Sequence, residues 1–192
     1  MASVPLPLVQ ITPWRPALLT QPLQFDRKPA WLKVKAPGGA NYTEVRGLLK
    51  DLKLHTVCEE ARCPNVGECW DHKAATFMIL GDTCTRNCSY CAIAHGTPQQ
   101  LDEEEPRRLA EAVAAMGMRH IVVTSVDRDD LPNGGAEMFA AVVFETRART
   151  PDTSIELLIP DFKGSRTALR SVVETKPDIL NHNLETVKRL YR

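Results

Sequence analysis

The chain has 192 residues, 43% hydrophobic and 25% charged, enough to bury one sizeable core and too few for two ordinary domains. Its 24 basic residues balance 24 acidic ones, and no basic tract beyond Arg107-Arg108 or Lys188-Arg189 stands out, which argues against nucleic acid as a partner. No apolar run approaches the roughly 18 residues that cross a bilayer, and the N-terminus lacks the charged start and apolar core of a secretory signal; a cytoplasmic chain without a membrane partner is expected.

Residues 1–37 hold seven of the 14 prolines and one acidic residue, Asp26, with no helical or strand period. They read as an extended or disordered lead-in. The scarcity of acids suggests an organellar transit segment as the alternative, but such segments are rich in Arg and Ser, and only Arg15, Arg27 and Ser3 occur here. Residues 38–73 form an N-terminal extension. Its first part is helical, with Val45, Leu48, Leu49 and Leu52 on one face, and ends near Lys53. Residues 58–70 hold three cysteines among Pro64 and Gly67 and predict a loop or broken helix.

Residues 74–192 alternate strand and helix. A strand at 76–80 opens into a cysteine loop. Pro106 suits a first helical turn, Leu109, Ala112, Val113 and Met116 share a face, and Gly117 stops that helix. The acidic run 103–105 reads as its solvated start. HIVVTS at 120–125 is a second strand, and a polar turn containing Gly134 and Gly135 leads to a helix carrying Met138, Phe139, Val142, Val143 and Thr146. SIELLI at 154–159 is the third strand. A helix at 166–174 is expected to bury Leu169, Val172 and Val173, a fourth strand covers 178–181, and 184–191 turns helical again. Apolar strands alternating with helices predict an α/β fold with a parallel sheet, joined by right-handed crossovers and curved as a partial, TIM-like (β/α) barrel of about four units. Ligands then sit at the C-terminal strand ends, where the loops starting at Cys84, Ser125, Pro160 and His182 converge. A fourth strand left at an open edge marks the barrel as incomplete.

All six cysteines lie within residues 58–91. Crowding of this kind in an unsecreted chain points to metal before disulfides. Cys84, Cys88 and Cys91 offer three thiolates from one tight loop, which suits three corners of an iron–sulfur cube and leaves one iron open to a small molecule. Zinc completed by His95 is the alternative, although zinc sites usually use two separated pairs.

The loop Cys84, Cys88, Tyr90, Cys91 resembles the C-x3-C-x-aromatic-C loop of the radical S-adenosylmethionine (SAM) superfamily. The resemblance implies a [4Fe-4S] cluster whose open iron chelates SAM, with reductive cleavage to a 5'-deoxyadenosyl radical. It places Tyr90 along the adenine, Ser125 and Asp127 at the methionyl amino group, and Asn183 and Glu185 at the ribose or methionyl part. The plain alternatives are a packing role for Tyr90, an ordinary turn aspartate at 127, and an N-cap and a dipole partner for the last helix at 183 and 185. Asp129 and Asp130 read as solvated or capping residues, and His55, His72, His120 and His182 as packed or exposed histidines.

The second set, Cys58, Cys63 and Cys69, stands as C-x4-C-x5-C within TVCEEARCPNVGECW. Together with GDTCTRNCSYC, TSVDRDDLPNGGA and NHNLETV it resembles the lipoyl synthase family, from about Trp31 to the last residue. The resemblance implies that these three cysteines hold an auxiliary [4Fe-4S] cluster, laid across the barrel mouth, that donates sulfur to C6 and C8 of a protein-bound octanoyl-lysine. It implies octanoylated lipoyl carrier domains as partners, namely acyltransferase subunits of 2-oxo acid dehydrogenases or the glycine-cleavage H protein, and an electron donor such as ferredoxin or flavodoxin. Family members have six strands and a serine that ligates the auxiliary cluster's fourth iron, so four strands and no such serine lead us to expect a C-terminally truncated chain. The competing readings are a two-cluster electron-transfer module and an inactive fragment of the enzyme.

Overall fold

The computed structural model describes residues 29, 31–34 and 36–190; the expected lead-in lies almost wholly outside them. The compact unit is Val34–Arg192. Its five-stranded sheet has the order β1 (His55–Thr56), β2 (Thr76–Ile79), β5 (His120–Ser125), β6 (Ser154–Leu158), β7 (Ile179–Asn181). Only β1 is antiparallel to its neighbour; β2, β5, β6 and β7 pair in parallel and in chain order.

Helices α4 (Glu105–Met116), α5 (Ala136–Arg149) and α6 (Arg166–Glu174) follow the strands in turn, α4 packing on α5 and α5 on α6. One layer of consecutive helices behind a parallel sheet in sequential order is the wall of a partial (β/α) barrel, as the strand–helix alternation predicts. The buried residues show why. Phe77, Ile79, Ile121, Val123, Ile155 and Leu157 alternate along their strands and meet Leu109, Val113, Phe139, Val142 and Val172 from the helices. Burying each such side chain stabilises the fold by about 1.5–3 kcal/mol. The opposite face is partly polar: Glu156 of β6 accepts from Asn181 Nδ2 at 2.6 Å and lies 3.3 Å from His120 Nε2.

Helix ends follow the local chemistry. Pro106 sits in the first turn of α4, and Gly117 closes it in the left-handed region at φ 63°. Ser165 caps α6, its Oγ accepting from Ala168 N–H at 3.2 Å. The expected solvated start of α4 needs correction. Glu105 is buried at 4% exposure and accepts the Leu80 N–H at 2.8 Å, tying α4 to the end of β2. On α6 only Val172 of the three expected core residues is buried; Leu169 and Val173 are 41% and 47% exposed. Residues 184–190 do not form the expected helix. A 3-10 turn at Lys188–Leu190 is what forms there, and Leu184, Val187 and Leu190 stay exposed, with nothing among the described residues to bury them.

The extension contributes α1 (Ala40–Asp51), α2 (Val57–Glu60) and α3 (Val66–Asp71), the last two being the broken helix expected around the first cysteines. Trp70 is fully buried and stacks on Tyr42 at 5.2 Å, locking α3 to α1. Strand β1, too short to show a period, pairs His55 with Met78 and Thr56 with Phe77. No described helix is long and apolar enough to cross a membrane.

Candidate functional site

Leu80 turns out of β2 at φ 72° and Gly81 follows at φ 90°, which throws the chain into the loop that carries Cys84, Cys88 and Cys91. Two-residue strands β3 (Thr83–Cys84) and β4 (Ala94–His95) pinch that loop shut, and Gly96 N–H donates to the Cys84 carbonyl at 2.9 Å. Neither strand is legible in sequence.

The loop is knitted to its neighbour after β5. Thr85 donates to the Asp127 carbonyl through N–H at 3.0 Å and through its hydroxyl at 2.9 Å, and the Thr85 hydroxyl accepts from Asp129 N–H at 3.1 Å. Backbone N–H groups of Arg86 and Asp127 donate to Cys84 Sγ at 3.4 and 3.3 Å. Arg86 then reaches out in two bidentate pairs, to Asp129 after β5 and to Asp161 after β6. Its partners, Asp129 first and Asp161 second, push its pKa further above the usual arginine value and hold both carboxyls below theirs.

Sequence reasoning missed Arg86 and Asp161, and it read Asp129 and Asp130 as solvated or capping. The structure corrects this: Asp129 is an Arg86 partner, and Asp130 pairs at 2.8 Å with Arg128. Arg128 is itself buried, donating to the carbonyls of Leu80 and Gln99 at 3.2 Å each. An arginine between two cysteines and an aspartate-rich loop after the next strand were the available signal.

Between these loops lies a cavity of about 470 Å3, lined by Cys88 and Tyr90 of the cysteine loop, Ser125 at the end of β5 and Asp127 after it, Ile159, Pro160 and Asp161 after β6, and His182, Asn183, Leu184 and Glu185 after β7. The sequence-derived cofactor contacts Tyr90, Ser125, Asp127, Asn183 and Glu185 therefore share one wall-to-wall space with Cys88. Asn183 and Glu185 lie on an irregular stretch ahead of the short 3-10 turn at Lys188–Leu190, so the capping and dipole alternatives have no α-helix to serve there. His182 Nδ1–H donates to the Ile159 carbonyl at 2.9 Å, which holds the β7 loop beside the β6 loop. Burial pushes the Asp127 carboxyl above the usual range, with Arg86 opposing.

The other triplet is separate. β1 runs antiparallel to β2, so the chain descends toward the N-terminal end of β2 as it enters α2 with Cys58, and α3 with Cys69 ends shortly before β2 begins. The expectation that these cysteines lie across the barrel mouth is therefore corrected: they flank the opposite end of β2 from Cys84. Burial first, and then the neighbouring Cys58 and Cys63, pushes the Cys69 thiol up.

All six cysteines are free. Among the described residues no three His, Cys, Asp or Glu side chains converge on a single ion. The donor chemistry nevertheless fits iron–sulfur groups. Each triplet supplies three thiols from one short stretch, Cys84 Sγ already accepts two N–H groups, and Ser125 Oγ is buried at the cavity without a hydrogen-bond partner.

Residues 78–192 match the family model of the radical SAM superfamily, and the chain belongs to that superfamily. SAM and iron–sulfur chemistry are what the superfamily brings. Residues 16–63 match the model of the N-terminal domain of lipoyl synthase. The chain is similar to the lipoyl synthases of Chloroflexus aggregans, 57% identical over 166 residues covering 86% of this chain and 54% of that protein, and of Rubrobacter xylanophilus, 56% identical over 164 residues covering 85% and 51%. The lipoyl synthase of a Roseiflexus species is 54% identical over 171 residues, covering 89% of this chain and 57% of the relative. The chain thus spans about half the length of the curated relatives it matches.

Proposed function

We propose that this chain carries the radical-generating part of a lipoyl synthase, with both iron–sulfur sites. Cys84, Cys88 and Cys91 would hold the cluster that binds SAM, and Cys58, Cys63 and Cys69 an auxiliary [4Fe-4S] cluster that donates sulfur. The observation that carries this reading is the single cavity at the C-terminal strand ends, which collects Cys88, Tyr90, Ser125, Asp127, Asn183 and Glu185 from the ends of three strands, β2, β5 and β7.

The cluster and SAM would supply abstraction of hydrogen from an unactivated alkyl C–H bond, a step that no acid or base performs at neutral pH. The residues of the chain bind and orient. Asp127 and Ser125 would accept from the methionyl amino group, Tyr90 would pack against the adenine, and Asn183 and Glu185 would take the ribose or methionyl part. Leu158, Ile159, Pro160 and Leu184 add an apolar wall to the same cavity, which limits water beside the reacting carbon. The substrate would be an octanoyl-lysine on a lipoyl carrier domain of a 2-oxo acid dehydrogenase or the glycine-cleavage H protein, sulfur entering at C6 and C8. A ferredoxin or flavodoxin would deliver electrons. Six free cysteines suit a reducing compartment, and we place the protein in the cytoplasm.

The test is anaerobic reconstitution with iron and sulfide counts, followed by incubation with SAM, reductant and an octanoyl-lysine peptide. Two clusters per chain, 5'-deoxyadenosine and thiolated peptide are expected. Two clusters without SAM cleavage would favour an electron-transfer module or an inactive fragment, and zinc in place of iron would sink both cluster assignments. Cys88→Ala should abolish cleavage, while Cys63→Ala should leave cleavage intact and stop sulfur insertion.

A further inference from the structure

The guanidinium of Arg86 meets three carboxylates on two loops outside its own. Nε and Nη2 donate to the two oxygens of Asp129, each at 2.8 Å; Nη1 and Nη2 donate to those of Asp161 at 3.0 and 2.8 Å; and Nη1 lies 3.5 Å from Asp127. Arg86 is 29% exposed, and its fork has no orientation to spare. The two residues it brings together, Arg86 itself and Asp127, are also the two whose backbone N–H groups point at Cys84 Sγ.

We propose that Arg86 is a positioning residue for the cysteine loop: its double fork holds the N–H groups of residues 86 and 127 against Cys84 Sγ and keeps the Asp127 carboxylate facing the cavity. The proposal rests on the reading of Cys84, Cys88 and Cys91 as cluster ligands. Hydrogen bonds to a ligating sulfur stabilise the more negative, reduced state and raise the reduction potential, so the fork acts on the potential through two backbone donors. It also joins the loops after β5 and β6, which bring Asp127 and Asp161 to the cavity, to the loop that holds the thiols. Lysine cannot replace it. A point charge on a flexible stem does not span two carboxylates bidentately. Thr85 independently binds the Asp127 carbonyl and Asp129 N–H, so loss of the fork is expected to leave the chain folded.

The test compares the reconstituted chain with its Arg86→Lys, Arg86→Met and Asp161→Asn variants. The readouts are iron and sulfide content, the electron paramagnetic resonance spectrum of the reduced cluster, its midpoint potential by redox titration, and the dissociation constant for SAM. Both Arg86 variants should load iron, show a lower potential and an altered spectrum, and bind SAM about tenfold more weakly, on the scale of other outer partners of metal ligands. Lysine should not rescue, and Asp161→Asn should fall between them and the unmodified chain. Should Arg86→Met fail to fold, Asp161→Asn still decides, since it keeps the Asp129 fork. Unshifted potentials in loaded variants, or full rescue by lysine, would overturn the proposal. Failure of the unmodified chain to load iron would instead overturn the cluster reading beneath it.

Discussion

Glu105 is a carboxylate placed where solvent is absent. Its burial pushes the carboxyl above the usual glutamate range, opposed by the hydrogen bond from Leu80 N–H. A raised carboxyl in the folded state means that the unfolded chain gives up this proton first. Its contribution to stability is therefore fully present below the usual glutamate pKa and declines as pH rises past it, until the folded carboxyl has also ionised. Glu105→Gln keeps an acceptor for Leu80 and removes the charge; urea midpoints followed across acid to neutral pH should show a flatter profile than the unmodified chain. Glu105→Ala strands the Leu80 N–H and should cost about 1–3 kcal/mol at every pH. Gly135 is a second residue with no tolerance. It stands at φ 84°, and a Cβ there would lie 2.3 Å from Leu80 Cδ1, a side chain that is itself 97% buried at 3% exposure. A leucine with room could move aside, but positive φ adds strain that no side-chain movement relieves. Gly135→Ala should lower stability by about 2 kcal/mol or more, read as a shift in thermal or urea midpoint.

At the scale of elements, α6 separates hydrophobic pattern from actual burial. Leu169, Val172 and Val173 look alike on a helical wheel, yet Val172 is fully buried against the sheet while its two neighbours face outward, with no described element beyond β7 to cover them. Val172→Ala should cost about 1–2 kcal/mol, whereas Leu169→Ser should stay within about 0.5 kcal/mol, in the same unfolding assay. The contrast shows what a sequence conveys. Long elements such as α4 and α5 were legible because their apolar positions repeat over three or more turns, and the ends of α4 carry Pro106 and Gly117. The two-residue strands β1, β3 and β4 have no period to read. Arg86 was illegible for another reason: its carboxylate partners lie 43 and 75 residues along the chain, and no local pattern records a pairing that only the converging loops create. The cysteine loop stood out because its spacing resembles a family loop, the other cavity residues were named only through that resemblance, and Glu105 was misread because an acidic run looks solvated whichever member turns inward.

For the molecule as a whole, the two thiol triplets divide the fold between the ends of β2, the Cys84 loop leaving its C-terminal end and the Cys69 helix closing just before its start. A strand of four residues spans about 13 Å, so two clusters so held would be near enough for a chain bound along the inner face to reach both, yet would be separately ligated. Separate ligation has a chemical signature that does not depend on activity. In the metal-free chain, burial pushes the thiols of Cys69 and Cys84 up, which lowers their thiolate fraction near neutral pH. Both should alkylate more slowly with iodoacetamide than Cys91, which is exposed. After reconstitution all six cysteines should be protected together with iron bound, and Cys63→Ala should restore labelling at Cys58 and Cys69 while Cys84, Cys88 and Cys91 stay protected. Mass spectrometry of the labelled peptides reads each site directly. Protection confined to the Cys84 loop in the unmodified chain would show that residues 58–69 need ligands from outside this chain to hold iron, and labelling of all six in the Cys63 variant would show that the two sites assemble as one.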